Sequence, residues 1–147
     1  MSRSGYSDDC EGSDLAMWRG TIASATRGRR GQRFFRDLVS ALDAMPAKRL
    51  IANALGIEEP EGDVCALGAL CRAKGKTLDE DDTEDYEKLG ETFDIASQLA
   101  QEVMFVNDEA GPYRGETDEQ RWLRVRKWAA EQIRPEDAAA QLGGKRP

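Results

Sequence analysis

The residues best suited to chemistry in this chain are arginines. Between positions 16 and 36 lie Arg19, Arg27, Arg29, Arg30, Arg33 and Arg36, with no acidic residue among them, although the whole protein carries a net charge of −7. A guanidinium is a planar fork of N–H donors that matches a phosphate or a carboxylate bidentately. On a helix, Arg33 and Arg36 are neighbours at i and i+3, and Arg29 and Arg30 fall in the turn before it. Backbone N–H groups at a helix start, with arginines beside them, suit a phosphate. That chemistry would serve a nucleic acid, a nucleotide or a phosphorylated ligand, with Arg27, Arg29, Arg30, Arg33 and Arg36 as the candidate contacts. Residues 28–31, Gly-Arg-Arg-Gly, lack the spacing of a Walker loop or a dinucleotide fingerprint. The competing reading is internal: the cluster pairs with the acids of residues 76–94, or is a solvated turn.

Those acids form the second charged feature. Residues 76–94 hold nine acids and two lysines, a net −7 that equals the charge of the whole molecule. Asp79, Asp81, Asp82, Glu84 and Asp85 read either as a solvated surface with acids at helix starts, or as a face for a basic partner such as a nucleic-acid-binding protein. Asp79, Asp81 and Thr83 alternate as calcium ligands do, but the glycine and distal glutamate of an EF-hand are missing.

Catalytic and metal chemistry find little support. Cys10, Cys65 and Cys71 are odd in number, form no CxxC, and have no histidine anywhere in the chain to assist them. No zinc site, other metal site or cofactor is implied. Without histidine the commonest general base and every Ser-His or Cys-His pair are lost, so the expectation is a protein that is not an enzyme. Cys65 and Cys71, six apart, read as core thiols, and Trp18, Trp122 and Trp128 as packing residues.

Helices must position these groups. Ser13 and Asp14 suggest a cap for a helix over about residues 15–27, with Leu15, Trp18, Ile22 and Ala25 as its stripe. Gly20 within it suggests close packing of a neighbour. Residues 28–31 form the turn, and about residues 32–45 form a core helix with Phe34, Phe35, Leu38, Val39, Ala41, Leu42 and Met45 on one face, stopped by Pro46. A short helix is expected over residues 48–56. Asp63 is placed as the cap of a helix closed by Gly75. Thr83 is placed as the cap of a short helix holding Tyr86, Leu89 and Phe93, and Ile95, Leu99, Val103 and Val106 mark the next. Thr117 with Gln120 makes a capping box for the last long helix, whose face is Trp122, Val125, Trp128, Ala129 and Ile133. Residues 1–12 read as an irregular polar arm and residues 135–147 as a flexible tail, leaving one all-α domain of about five to seven helices over residues 1–134.

The length of 147 residues suits one core, and 33% charged residues with 39% apolar is a globular composition. The acidic balance argues against nonspecific binding of the whole molecule to nucleic acid or to an anionic membrane. No apolar run approaches the ~20 residues of a membrane span, so no membrane partner is expected.

Several strings taken together resemble a family of small uncharacterised proteins encoded by bacteriophages and prophages: SRSGYSDD, RGRRGQRF, ALDAMPAKRLI, GDVCALGAL, VNDEAG and ETDEQRWLRVRKW. The resemblance spans about residues 2–133. It implies a phage origin and a cytoplasmic setting in an infected bacterium, and brings no activity, cofactor or catalytic residue with it. The expected function is that of an accessory protein that binds a host or phage protein, counter-defence being one such role.

Overall fold

In the computed structural model, residues 3–5, 12–57, 62–112 and 115–135 are described. Among them are six α-helices, one 3-10 helix and no strand: α1 (Gly12–Arg27), α2 (Arg29–Ala44), α3 (Ala66–Lys74), the 3-10 helix Glu80–Glu84, α4 (Tyr86–Phe93), α5 (Ser97–Asp108) and α6 (Asp118–Glu131). The architecture is the all-α bundle that the apolar periodicity predicts. Residues 136–147, expected to be a tail, lie outside the described residues, as do Tyr6, Asp8, Asp9 and Cys10 of the arm.

Two helices organise the core. Helix α2 packs on α1, α3 and α6, and α5 packs on α1, α3 and α4, with a lighter contact to α6. The buried face of α2 carries Phe34, Phe35, Leu38, Ala41 and Leu42, as its sequence spacing requires. Full burial of one such leucine or phenylalanine contributes roughly 1.5–3 kcal/mol, so this face alone dominates the local energetics. Phe35 meets Phe34 and Trp128 edge-on at 5.2 and 5.3 Å between centroids. Trp122 is buried and donates its indole N–H to the Leu42 carbonyl at 3.2 Å, tying α6 to the end of α2.

Several boundaries differ from those expected. Helix α2 begins at Arg29, about a turn earlier than predicted, because Gly28 alone breaks the chain between α1 and α2. Gly31 is therefore helical, and it is where the two helices approach: a Cβ there would lie 1.9 Å from the Ala25 carbonyl oxygen. Gly20, expected to mark close packing, has nothing within 4 Å of such a Cβ. The caps of α3 and α4 are Cys65 and Asp85, not Asp63 and Thr83. The Cys65 sulfur accepts from the Gly68 N–H and the Asp85 carboxylate from the Lys88 N–H. The capping box Thr117–Gln120 opens α6 as predicted.

The helix expected over residues 48–56 does not form. This stretch spends its backbone amides on distant partners, and a helix needs those donors for its own i→i−4 ladder. Leu50 N–H donates to the Asp118 carbonyl and Ile51 N–H to that of Val64. Leu55 and Gly56 both donate to the Glu80 carboxylate, at 3.0 and 2.9 Å. Asn53 and Gly56 adopt φ of 67° and 77°, outside the helical region. Tertiary pairing overrides the apolar spacing of Leu50, Ile51 and Leu55.

Candidate functional site

The arginine cluster sits at the elbow between α1 and α2, and its backbone is held firmly. Buried Gln32 donates to the carbonyls of Thr26 and Gln132 and accepts from the Arg134 N–H at 2.8 Å. One side chain thus fixes the end of α1, the start of α2 and the end of α6 together. The Arg134 guanidinium adds a hydrogen bond to the Arg27 carbonyl. With its opposite face buried, α2 turns Arg29, Arg30 and Arg33 to solvent, with Arg36 half-buried one turn on.

Charge neutralisation around Arg27, Arg29, Arg30 and Arg33 is sparse among the described residues. Arg30 and Arg33 share one exposed carboxylate, Asp94, at 3.2 and 3.8 Å. Among the described residues no ion pair engages the side chains of Arg27 or Arg29. Arg19 pairs at 2.8 Å with Glu102 on α5, so it belongs to the α1–α5 contact more than to the cluster. Of the acids of residues 76–94, the one that Arg30 and Arg33 meet is Asp94, at the far end of the run. Between α2 and the ends of α3 and α4 lies a cleft of about 220 Å³, lined by Arg30, Arg33, Lys74, Lys76, Asp37 and Asp94. Lys74 is bonded to Asp37 at 2.7 Å. Four cations and two carboxylates leave the cleft net positive.

The acidic run has a different character. Asp79 and Asp82 close a capping box on the 3-10 helix, and Asp85 caps α4. The Asp79 backbone N–H, and after it the Lys88 ammonium, hold the Asp82 carboxyl below the usual aspartate value. Glu80 clamps the amides of Leu55 and Gly56, as described above. Of the five acids named as a partner face, Asp81, Glu84, Asp79 and Asp85 are exposed, but Asp79, Asp82 and Asp85 are also helix caps, which is the local structural reading of such acids. Asp79, Glu80, Asp82 and Asp85 thus build the chain's own turns, while Asp81 and Glu84 stand exposed.

A polar centre lies under residues 3–5; the polar arm, Ser4 included, was a candidate to fold over a site, but Arg3, Asn107 and Asp108 had no role assigned from sequence. Arg3 and Ser4 are both buried. The Arg3 guanidinium forks onto Asp108 at 2.6 and 2.9 Å, and the Asp108 side chain is fully buried. Asp108 also accepts from the Asn53 N–H at 3.0 Å and the Asn107 amide at 2.8 Å. Asn107 in turn accepts from the Ala66 N–H at the start of α3 and donates to the Ile51 carbonyl. Burial pulls the Arg3 pKa down, but the hydrogen bonds and charge of the Asp108 carboxylate help to hold the value above normal. The signal available in sequence was weak: a lone Arg-Ser-Gly near the start and an Asn-Asp at the end of an apolar helix.

Elsewhere Cys65 and Cys71 are buried free thiols, and burial pushes the Cys71 thiol up to about 12. Among the described residues no group of three histidine, cysteine, aspartate or glutamate side chains could hold a metal ion, and no helix is long and apolar enough to cross a membrane. A groove of about 570 Å³ runs between the end of α2 and α3, floored by Ala41, Ala69 and Val64 and flanked by Arg49 and Arg72. No protein-family model matches the chain, and neither a curated protein nor a solved structure matches it, so its site must be read from its own geometry.

Proposed function

We propose that this is a phage accessory protein that acts by binding in the cytoplasm of an infected bacterium. Its contact is the face bearing Arg27, Arg29, Arg30, Arg33 and Arg36, and its partner an acidic surface of a host or phage protein. The observation that carries this reading is the neutralisation just described: Arg30 and Arg33 share one carboxylate, and Arg27 and Arg29 engage none among the described residues. Arginines on a rigid helix face are enriched among the residues that dominate protein interfaces, and opposite charge across an interface speeds encounter. Asp37 and Asp94, set among the cations, favour a protein surface over a nucleic acid. A phosphate backbone would meet both carboxylates and, beyond them, a molecule of net charge −7. Countering a bacterial defence is the role the phage setting suggests.

The test compares proteins captured from infected cells by the wild-type chain and by an Arg29→Glu, Arg33→Glu variant of matched thermal stability. A partner lost from the variant and regained with its own acidic patch reversed supports the proposal. Equal capture by both chains refutes it.

A second reading, phosphate recognition, rests on a separate observation. Helix α2 has Gly28 as its N-cap, with no side-chain cap and no acid in its first turn, which holds Arg29 and Arg30. Its ligand would be a nucleotide or nucleic acid. Oligonucleotide binding followed by anisotropy should then weaken steeply with salt and fall on Arg29→Ala, Arg30→Ala substitution. Binding unchanged by those substitutions rules this reading out.

A further inference from the structure

The slot that holds residues 3–5 reads that tripeptide the way a receptor reads a peptide. Its first residue is recognised by charge and shape, through the two-point fork of Arg3 on Asp108. The second is recognised by its hydroxyl, with Ser4 Oγ donating to the Glu109 carboxylate at 2.8 Å. The third must be glycine: φ is 75°, and a Cβ there would lie 2.6 Å from the Tyr86 hydroxyl oxygen. Two backbone carbonyls are bound as well. The Tyr86 hydroxyl donates to that of Arg3 at 2.9 Å, and the Gln101 amide donates to that of Ser4 at 3.0 Å. All the recognising groups come from α4, α5 and the residue after α5, none from the segment itself.

The slot also demands an occupant. Without a guanidinium, the Asp108 carboxylate would be left buried and unpaired, which is costly. One Arg3 nitrogen, Nη1, is buried with no hydrogen-bond partner, so the slot grips the guanidinium through Nε and Nη2 and leaves one of its donors unsatisfied.

We propose that this slot is a receptor site for an arginine–serine–glycine segment, filled here by the chain's own residues 3–5, and that the same segment of a second copy of this chain enters it in trans. The trans segment makes every contact the cis segment makes, so exchange sacrifices none of them. What separates the two states is linkage: a tethered arm competes at an effective concentration in the millimolar range. Exchange therefore emerges at high protein concentration, and reciprocal exchange closes with two-fold symmetry.

Complementing variants test this directly. An Arg3→Ala chain keeps the slot and loses its key, whereas an Asp108→Asn chain keeps the key and loses the charge of the slot. Mixed at high micromolar concentration, the two should form a 1:1 complex in native mass spectrometry that neither forms alone. A peptide of residues 2–7 should dissolve that complex. The labelled peptide should also bind the Arg3→Ala chain, and adding Asp108→Asn to that chain should weaken binding by about a hundredfold or more. If Arg3→Ala does not fold, Arg3→Lys replaces it in both measurements, since lysine keeps the charge but cannot fork. Failure of the peptide to bind the folded variant, or binding indifferent to Asp108, overturns the receptor site. Peptide binding without a complex between the two chains overturns the second copy as its occupant.

Discussion

Replacing Asn107 by alanine tests the claim that one side chain joins α5, the start of α3 and the irregular stretch over residues 45–57. Asn107 is almost wholly buried and makes three bonds: it accepts from the Ala66 N–H at 3.0 Å and donates to the Ile51 carbonyl at 2.9 Å and to Asp108 at 2.8 Å. Truncation leaves the Ala66 N–H in a fully buried position with no acceptor, which costs about 1–3 kcal/mol. The Ile51 carbonyl is only partly buried and adds a smaller penalty, while Asp108 keeps Arg3 and the Asn53 N–H. The sum is about 2–4 kcal/mol, which for a chain of this size corresponds to a fall of roughly 5–15 °C in Tm. Urea unfolding gives the quantity directly, through a lower midpoint at an unchanged m-value. Asn107→Asp provides the internal control. It keeps the acceptor for Ala66 but sets a second carboxylate against Asp108, so it should be no better tolerated than alanine at neutral pH and should recover as the pH falls. An Asn107→Ala chain within about 0.5 kcal/mol of wild type would refute the reasoning, because such a value is usual for a surface change.

Three further expectations rest on other features. Gly31→Ala should destabilise by more than about 2 kcal/mol, since the new methyl meets the Ala25 carbonyl oxygen at 1.9 Å, whereas Gly20→Ala should stabilise by up to about 1 kcal/mol at an open helical position; thermal melts of both chains check the opposite signs. The hydrogen bond and charge of Arg124 hold the Glu116 carboxyl below its ordinary value of 4.5. The stabilisation it contributes is therefore complete above about pH 4.5 and is lost as the pH falls through the depressed folded-state value; urea midpoints measured from pH 6 down to 3 should fall less steeply for Glu116→Gln. Cys65 and Cys71 should resist alkylation in the native state by at least about a thousandfold relative to the unfolded chain, measured by peptide mass spectrometry, because both are buried and reaction requires an opening event.

How much of this was legible in the sequence depended on whether the governing interactions were local. The faces of α2 and α6 were, since Phe34, Phe35, Leu38 and Leu42, like Trp122, Val125 and Ala129, follow the helical repeat and are buried in that register. The Thr117–Gln120 box was legible for the same reason, because donor and acceptor lie three residues apart. Residues 48–56 misled because Leu50, Ile51 and Leu55 carry helical spacing while their amides are claimed by Glu80 and by the Asp118 and Val64 carbonyls, which no local window contains. The arginine cluster was visible as composition, and pairing with the acids of residues 76–94 was one expected outcome, but which acid it would meet, Asp94 at 64 positions from Arg30, was not legible. The buried centre at Arg3, Asn107 and Asp108 was hidden almost completely, since its partners are separated by as many as 105 positions and each residue type alone reads as surface.

The borrowed amides of residues 50–56 also bear on the order in which the chain assembles. Contacts between α1 and α2, and between α4 and α5, join neighbours in sequence and need close only short loops, so these hairpins can form early. The intervening stretch can settle only when Glu80, Asn107, Asp108 and the start of α6 have all arrived, because each supplies an acceptor that residues 50–56 or Ala66 lack locally. It is expected to be the keystone of folding, set last although it lies in the middle of the chain. Once set, its amides should exchange with solvent only as slowly as the whole molecule unfolds.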